Sequence, residues 1–433
     1  MHLRWIVLGI FILAYGFVSL STRHRAKAIW VAVGLLFLAG QLFPGQDSRG
    51  FLSLHSLLLR AINWNVIGIL TGAMLIADMF IESRVPALVA DRLVARFRHA
   101  HLAMLAVCLF AGLVSTVVDN VTTVLIVSPI ALAIAKKGGL SPVPLLIGLA
   151  VSANLQGAAT LVGDPPSMLL ADSFKLTFND FFFHKGRPSM FFAIQAGAVA
   201  SALVLYVVFR RHRSEVVTAE PVQVHTWVPT GFVGGMIGFL VLASFLDPGF
   251  VWLAGTGVFA LGLVALAWGF VRNRSTTLEL LERYDLPTLF FLAGIFVLAY
   301  SVQAFGWVQA AGRLVAGVVG TRQFAAFMAV VWFSVLISAF VDNIAYVAVM
   351  LPVAKELAAS VGGDPFLYAG GLLIGACLGG NITPIGAACN VVAMGILRRE
   401  GHHVSFWQFV RIGLPFTLVA TAAGAALLWA FWH

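Results

Sequence analysis

The chain has 433 residues, of which 60% are hydrophobic and 10% are charged. Soluble globular proteins carry about 25% charged residues, so this composition excludes a soluble globular domain and indicates an integral membrane protein. The net charge of +9 arises from Lys and Arg residues in short loops between apolar runs. Because there is no basic groove or aromatic RNA-binding motif, we expect no nucleic-acid partner.

The predicted elements begin with apolar runs that are long enough to cross a bilayer, which takes about 17–25 residues. No small-x-small cleavage site follows the first run, so we expect it to stay as a span rather than to be removed as a signal peptide. The predicted spans are residues 4–20, 28–44, 62–81, 144–172, 189–209, 229–245, 250–271, 285–302, 366–396 and 412–430.

Two further apolar stretches, 102–136 and 324–354, are too long for a single span. An Asp-Asn pair interrupts each of them in the middle. This pattern predicts two re-entrant hairpins that turn at Asp119 and Asp342, which lipid tolerates only where protein or a watery cavity covers the turn. The alternative is a pair of ordinary short spans joined by a polar turn.

The basic residues are distributed unevenly between the loops. One set of alternate loops holds 18 of the 27 Lys and Arg residues. The positive-inside rule places this set in the cytoplasm and both termini on the external side of the inner membrane. The set comprises residues 21–27, 82–101, 136–143, 210–228, 272–284 and 397–411.

The predicted fold class is an all-α integral membrane protein built as an inverted repeat. Each half has five spans and one hairpin, and an odd number of spans turns the second half upside down relative to the first. We assign residues 1–209 to the first repeat, 210–228 to a cytoplasmic linker and 229–433 to the second repeat. The broken helices are predicted at 144–172 and 366–396.

The two halves share motifs at one fixed spacing. STVVDNVTTVLIVSP at 115–129 returns as SAFVDNIAYVAVMLP at 338–352, without a gap. The same constant offset in numbering relates GAATLVGDPP at 157–166 to GNITPIGAAC at 380–389. Two motifs at one gapless offset indicate an internal duplication. Polar, Gly- and Pro-interrupted segments at matching places indicate the substrate site of a secondary transporter.

Acidic residues at membrane depth are the first candidates for function, because a charge there is costly. The pattern places Asp119, Asp164 and Asp342 deepest, whereas Asp78 lies nearer the end of its span and is a weaker candidate. The alternative role for each is a helix cap or the partner of a buried cation. For Asp164, a capping role is as well supported as a role in binding, because two prolines follow it and Ala387 stands at its repeat position. Symmetric placement favours function for the other two.

Uncharged polar residues around the interruptions complete a predicted chamber near the midplane. Asn120 and Asn343 are expected to cap the returning half-helices. Glycines are expected to let the backbone approach a ligand closely at Gly157, Gly163, Gly379, Gly380 and Gly386. Half-helix N-termini favour oxygen-rich ligands, and unwound carbonyls suit a cation. The predicted substrate- and ion-binding residues are Asp119, Asn120, Asn154, Thr160, Gly163, Asp164, Asp342, Asn343, Asn381, Thr383 and Asn390.

The motifs resemble those of the ion transporter superfamily. The resemblance is carried by DNVTTVLIVSPIALAI, ANLQGAATLVGDPPSMLLADSF, DNIAYVAVMLP and GACLGGNITPIGAACNVVAMGILRREGHHVSFWQFVRIGLPF. The most similar branch holds arsenite-antimonite efflux pumps, the melanosomal P protein and D-type sodium/proton antiporters. The resemblance implies an inverted repeat with two hairpins, a homodimer held by a scaffold, and an elevator motion of the hairpins and broken helices.

The hairpin tips and the breaks depart from related patterns. Carboxylate carriers of the superfamily place Ser-Asn-Thr at the tips, where this chain has Asp-Asn. Within the branch, Leu155-Gln156 replaces a common Ile-Gly-Gly, and Ile382 and Pro384 are also unusual. We expect two aspartates to repel a di- or tricarboxylate in a low-dielectric chamber, so a neutral or cationic cargo fits better.

Proton-coupled efflux of arsenite or antimonite is therefore the leading functional prediction. Arsenious acid is neutral near neutral pH. Asp119 and Asp342 are predicted to bind a proton, or a sodium ion, that is exchanged for it across the membrane. The alternatives are a sodium/proton antiporter, an inorganic or carboxylate anion transporter of the same superfamily, and a passive channel. The expected partners are a small inorganic solute, the lipid bilayer and a second copy of the chain.

Other chemistry is disfavoured by the residues present. All eleven His residues lie at span ends or in loops, and without HExxH or GxSxG an intramembrane enzyme is not expected. No GxxxxGK[ST] loop is present, which leaves only a separate ATPase subunit as a possible ATP-driven partner. Cys108, Cys377 and Cys389 form no CxxC pair, so neither a metal site nor a cofactor is predicted. We expect them to act as small apolar fillers outside the site.

Overall fold

The computed structural model describes residues 2–20, 24–43, 51–211, 223–319 and 322–433. Much of the predicted linker and part of the first cytoplasmic loop lie outside the described residues. The described chain is mostly helical. It also contains one short antiparallel pair of strands, Phe183–His184 with Arg187–Pro188.

Nine helices in the described part of the chain are long and apolar enough to cross a membrane. They are Arg25–Leu42, Trp64–Glu82, Met190–Phe209, Val228–Leu246, Leu253–Arg272, Leu286–Ala304, Asn343–Val361, Pro365–Ile382 and Phe406–Trp432. Eight of these correspond to predicted spans, and the ninth, Asn343–Val361, is a hairpin arm. The predicted spans at 4–20 and 144–172 form shorter apolar helices instead. The helical membrane fold predicted from the sequence is confirmed, with the short strand pair as an addition to it.

Both predicted hairpins form as two helices joined by a tight turn. Hairpin 1 consists of Ala100–Ser115 and Asn120–Lys137, and hairpin 2 consists of Gln323–Ser338 and Asn343–Val361. The helices of hairpin 2 begin at the positions that the motif offset predicts from those of hairpin 1, so the sequence offset is also the offset of the structural elements. Their entry from opposite sides of a bilayer stays a prediction.

Both predicted broken helices are interrupted where glycine and proline cluster. Broken helix 1 consists of Val143–Gly157 and Pro165–Phe174. Broken helix 2 consists of Pro365–Gly379 and Ala388–Arg399, with a 3₁₀ turn at Gly380–Ile382 between them. We call the connecting segments break 1 and break 2.

The other helices flank these four elements. They are His2–Leu20, Arg25–Leu42, Trp64–Glu82, Val85–Val94, Met190–Phe209, Val228–Leu246, Leu253–Arg272, Arg274–Arg283, Leu286–Ala304, Trp307–Val319 and Phe406–Trp432. Short helical turns occur at Ser56–Arg60 and Asn179–Phe181. Several helices begin at side-chain caps, among them Asn63, Asp285, Asp364 and the capping box of Ser405.

The helix packing repeats from one half to the other. Each hairpin packs on the broken helix of its own half. The second arm of each hairpin also reaches across, so that Asn343–Val361 contacts Pro165–Phe174, and Asn120–Lys137 contacts Ala388–Arg399. The two halves therefore interlock around the breaks, and the hairpin tips are brought next to them.

Candidate transport site

Each hairpin tip starts its returning helix with an aspartate cap. Asp119 accepts a hydrogen bond from the amide of Thr122 at 3.0 Å. Asp342 accepts bonds from the second and third amides of its helix at 3.0 and 3.3 Å. A carboxylate is a strong N-cap because it neutralises the positive end of a helix. The prediction that Asn120 and Asn343 cap these helices is therefore wrong.

The two asparagines bind other polar residues instead. Asn120 Nδ2 donates to Asn154 Oδ1 at 2.9 Å, within the first repeat. Asn343 Nδ2 lies 3.5 Å from Asp164 Oδ2, so this contact joins hairpin 2 to break 1. The amide of Asn343 in the second repeat thus contacts the carboxylate of Asp164 in the first.

Asn154 and Asn381 connect the two broken helices across the centre of the protein. Asn154 Nδ2 donates to the carbonyl of Cys377 at 2.7 Å and to Asn381 Oδ1 at 3.0 Å. Asn381 Nδ2 donates to the carbonyl of Val151 at 3.2 Å. Both side chains are fully buried. Since their donors are used within the protein, they hold the breaks in register rather than offer free ligand groups.

The two threonines of the breaks make the same contact in each repeat. Thr160 Oγ1 donates to the carbonyl of Thr116, and Thr383 Oγ1 donates to the carbonyl of Ala339. Both contacts join a break to the tip of its own hairpin. Asn390 supports break 2 by donating to two of its carbonyls at 2.9 and 3.0 Å. These three predicted ligands shape the site from within the protein.

The glycines of the breaks serve close contact between backbones. A Cβ on Gly163 would lie 2.4 Å from the carbonyl oxygen of Gly157 and 2.7 Å from that of Ser115. A Cβ on Gly386 would lie 2.6 Å from the carbonyl oxygen of Gly380 and 2.8 Å from that of Ala339. The sequence predicts that these glycines let the backbone approach a ligand. In the structure they instead let the break approach the tip of its hairpin.

Asp164 differs from the other predicted acids. Its side chain is only 4% exposed, and although it precedes Pro165–Phe174 it makes no capping bond. Among the described residues, its carboxylate has one hydrogen bond, the long contact with Asn343. The carboxylates of Asp119 and Asp342 lie close enough to repel it. The structure therefore brings the three predicted acids together and leaves the deepest one weakly paired.

A cavity of about 640 Å³ opens beside the tip of hairpin 2. Two basic residues, Arg25 and Lys27, and two acidic residues, Asp285 and Asp342, line it. Break 2 forms another wall and presents the N-terminus of Ala388–Arg399, which has no side-chain cap. The unpaired amides of a helix N-terminus attract anions. The walls thus combine charges of both signs with an open helix end.

Arg25 is held by three contacts with neighbouring side chains. Its Nη1 donates to Asp342 Oδ2 at 2.9 Å and its Nη2 donates to Thr288 Oγ1 at 3.2 Å. The guanidinium also lies 4.7 Å from the centre of the Phe291 ring, a cation–π contact. The side chains of Arg25 and Asp342 are only 18% and 17% exposed. Asp342 therefore has a basic partner as well as a capping role.

The basic side of this site is not among the residues predicted from the sequence. Arg25 and Lys27 are predicted only as topology signals, although their position at the start of a span is a usable hint. Asp78, the weaker candidate, lies close enough to Asp119 and Asp285 to be repelled by them. Among the described residues, no group of three or more His, Cys, Asp or Glu side chains is arranged to hold a metal ion.

The sequence of residues 15–370 matches the protein family CitMHS, described as citrate transporter. An uncharacterized transporter of Mycobacterium tuberculosis is 31% identical, with 98% of each chain covered. The P protein of Homo sapiens is 26% identical over 85% of this chain and 53% of its own length. The sequence resemblance to the P protein is thus supported, whereas a specific relationship to the arsenite efflux pumps is not confirmed.

Two solved structures share the fold at low sequence identity. The YdaH transporter of Alcanivorax borkumensis superimposes with a TM-score of 0.63 at 16% identity and covers 99% of this chain and 98% of its own. MtrF of Neisseria gonorrhoeae, described as illuminating a class of antimetabolite efflux pumps, has a TM-score of 0.56 at 16% identity and covers 93% and 94%. The family, the Mycobacterium tuberculosis relative and the two solved structures are described as transporters or efflux pumps.

Proposed function

Because the chain belongs to the CitMHS family of transporters, we propose that it is a secondary active transporter of a small oxygen-rich anion. The cargo binds in the cavity beside hairpin 2, and its movement is coupled to a proton or a sodium ion. The elevator motion, the homodimer and the inner-membrane orientation with external termini, which the resemblance and the loop charges imply, belong to this proposal.

The observation that best supports an anionic cargo is the uncapped helix N-terminus at break 2. In the first repeat, the carboxylate of Asp164 stands at the start of Pro165–Phe174. In the second repeat Ala387 stands there, and the cavity occupies the space beyond it. An anionic group of the cargo can take the place that a protein carboxylate holds in the other half. Arg25 and Lys27 face the same space and favour the same charge.

In the folded protein, Asp119 and Asp342 are not free to repel a carboxylate cargo as the sequence predicts. Asp342 pairs with Arg25 and Asp119 caps a helix. The charged residues of the cavity, two basic and two acidic, give formal charges that cancel. The cavity therefore does not repel an anion through its net charge, and a citrate-like carboxylate becomes the first candidate.

Asp164 is the residue best suited to the coupling ion. A buried carboxylate with one long hydrogen bond is costly as an anion. Binding a proton or a sodium ion removes that cost and neutralises the site for crossing. Asp119, which the sequence predicts in this role, accepts a capping bond. Asp342, which the sequence also predicts in it, accepts capping bonds and is held by Arg25, so it is not free for a cation while that pair is intact.

Arsenite is the second candidate cargo. The Asp164 carboxylate and the Asn343 amide lie together at the meeting point of the repeats, where they offer an acceptor and a donor to the hydroxyls of arsenious acid. Proton-coupled efflux of arsenite or antimonite would use this pair. Cys377 and Cys389 are buried, and Cys389 contacts a backbone carbonyl, so thiol ligation of arsenic is not part of the proposal.

The proposal is tested with the purified protein in liposomes. Uptake of citrate, arsenite and sodium is measured in turn, with and without a proton gradient, against protein-free liposomes. Uphill accumulation of citrate supports the first candidate, and accumulation of arsenite alone supports the second. Sodium/proton exchange without either cargo would indicate an antiporter. Flux that never exceeds equilibrium would indicate a channel and would reject active transport.

A further inference from the structure

The pair of Arg25 and Asp342 joins two separate parts of the protein. Arg25 begins the flanking helix Arg25–Leu42, and Asp342 lies at the tip of hairpin 2. On its own side, Arg25 is fixed by Thr288 and by the ring of Phe291. Since Thr288 is neutral, the guanidinium has Asp342 as its one carboxylate partner among the described residues. It is thus held in place to receive an acidic group.

Neither member of this pair can lose its partner cheaply. Both side chains are more than four-fifths buried, and removing one partner of a buried ion pair leaves an uncompensated charge. An anion that takes over the guanidinium therefore frees the Asp342 carboxylate, which then requires a new cation. The site can accept an anion without a net change in charge only if a cation enters with it.

We infer that Arg25 and Asp342 form an exchangeable pair that makes binding of the cargo depend on a cation, a role separate from that of Asp164 in crossing. An anionic group of the cargo replaces Asp342 on the Arg25 guanidinium. The released Asp342 carboxylate then binds a sodium ion or a proton. One anionic group and one monovalent cation enter together, so the charge of the pair is unchanged. The inference rests on the proposed anionic cargo and adds the residues that make its binding depend on a cation.

Other charged and titratable groups around Asp342 do not replace Arg25. Lys27 and Asp285 line the same cavity, but Lys27 is exposed to solvent. Tyr15 and Asp164 lie within electrostatic range of Asp342. Asp164 repels the freed carboxylate and so increases its need for a cation. The neighbours therefore favour cation uptake at Asp342 once Arg25 is occupied by the cargo.

The exchange has no counterpart at the tip of hairpin 1. The motif offset places Pro248 at the position that corresponds to Arg25, so the repeat supplies no second arginine there. Among the described residues, Asp119 has no ion pair. The inference therefore predicts one exchanged pair in each protein chain.

The test measures citrate binding to the purified full-length protein by calorimetry, at several sodium concentrations and pH values. For the wild type we expect affinity to rise with sodium or with falling pH. Asp342→Asn keeps a good N-cap but frees Arg25 permanently. We expect it to bind citrate about tenfold or more tightly than the wild type at low sodium and high pH, with its cation dependence lost.

Arg25→Gln is expected to weaken citrate binding by about tenfold or more, and Arg25→Lys to restore part of it. Arg283→Gln, at an exposed arginine outside the cavity, is the matched control and should bind as the wild type does. Should Arg25→Gln fail to fold, the cation dependence of Asp342→Asn decides alone.

Wild-type cation dependence in Asp342→Asn would overturn the exchange while leaving the anionic cargo intact. So would wild-type citrate affinity in a folded Arg25→Gln. If the wild type binds no citrate under any condition, both the exchange and the carboxylate cargo are rejected. Arsenite accumulation in the liposome assay would then identify the second cargo.

Discussion

The first and second repeats hold their breaks against their hairpin tips with the same residue types. Thr160 and Thr383 each donate to a carbonyl of their own hairpin tip. Gly163 and Gly386 each leave space for two carbonyl oxygens. These contacts fix each break against its hairpin, and they recur because both repeats fold around the same interruption.

The repeats differ at the next position and in what surrounds it. Asp164 of the first repeat is buried with one long hydrogen bond, whereas Ala387 of the second borders a cavity lined by Arg25 and Lys27. A fold with two similar halves thus places a carboxylate at one helix end and an open, partly basic space at the other. The difference teaches that the duplicated parts hold the site together, while the unmatched parts determine its charge.

Removing the unmatched acid should have the largest effect on transport. Asp164→Asn preserves size but cannot bind a driving cation as a carboxylate does. We expect gradient-driven flux to fall about tenfold or more, the effect of losing about 1.5–3 kcal/mol from interactions with a charged group. Flux into liposomes is the measurement. Asp91→Asn, at a residue outside the predicted site, should keep normal flux, and equal flux in both variants would exclude a coupling role for Asp164.

The matched glycines test whether the two breaks are equally tight. Gly163→Ala and Gly386→Ala each force a methyl group against two backbone oxygens, so each should destabilise the protein by about 1–3 kcal/mol. Thermal unfolding in detergent is the measurement. Gly395→Ala is the control, because a methyl group there meets no atom within 4 Å. A much smaller loss for one break than for the other would show that the repeats are not equivalent at this point.

The sequence predicts the elements of this fold because the signals for them are local. Apolar length marks the spans, and Gly and Pro mark the breaks between Gly157 and Pro165 and between Gly379 and Ala388. The offset between the repeated motifs applies equally to the helices of the hairpins. The sequence also selects the acids that come together at the centre, because a charge within an apolar run stands out by itself.

The partners of these residues could not be predicted in the same way. Arg25 and Asp342 are separated by 317 positions, and no local pattern indicates that a basic loop residue turns into the cavity. The capping role assigned to Asn120 and Asn343 belongs to the preceding aspartates, a choice that depends on the geometry of the turn. Likewise, only the packed structure shows that Asn154 and Asn381 use their donors on each other and on the backbone.

The matched threonines give a smaller and more exact comparison. Thr160→Val and Thr383→Val keep the shape of the side chain and remove one buried hydrogen bond each. We expect each to lower the free energy of unfolding by about 0.5–1.5 kcal/mol, measured in detergent by chemical denaturation. The corresponding Thr→Ser variants keep the hydroxyl and should recover most of the loss. No loss in either valine variant would mean that the bond does not support the break.

The smallest effect is expected at a segment that only the first repeat has. Its broken helix continues into a loop with the strands Phe183–His184 and Arg187–Pro188, held by Asp180, whereas the second repeat passes directly from Arg399 to Phe406. Burial raises the pKa of the Asp180 carboxyl, but hydrogen bonds from His184 and Thr177 outweigh this effect and hold the pKa below its usual range.

A lowered pKa means that the ionised carboxylate stabilises the folded state above the unfolded value of about 3.9 and loses that effect as the pH falls through the folded value. Asp180→Asn should therefore lower the free energy of unfolding by no more than about 1 kcal/mol near neutral pH. The difference in thermal unfolding between the two proteins should shrink as the pH falls below about 3.9 and should vanish only below the lowered pKa of the folded wild-type carboxyl. A difference that grew with acidity would contradict this assignment. Unchanged citrate or arsenite flux in the variant would show that the extra loop is structurally separate from the transport site.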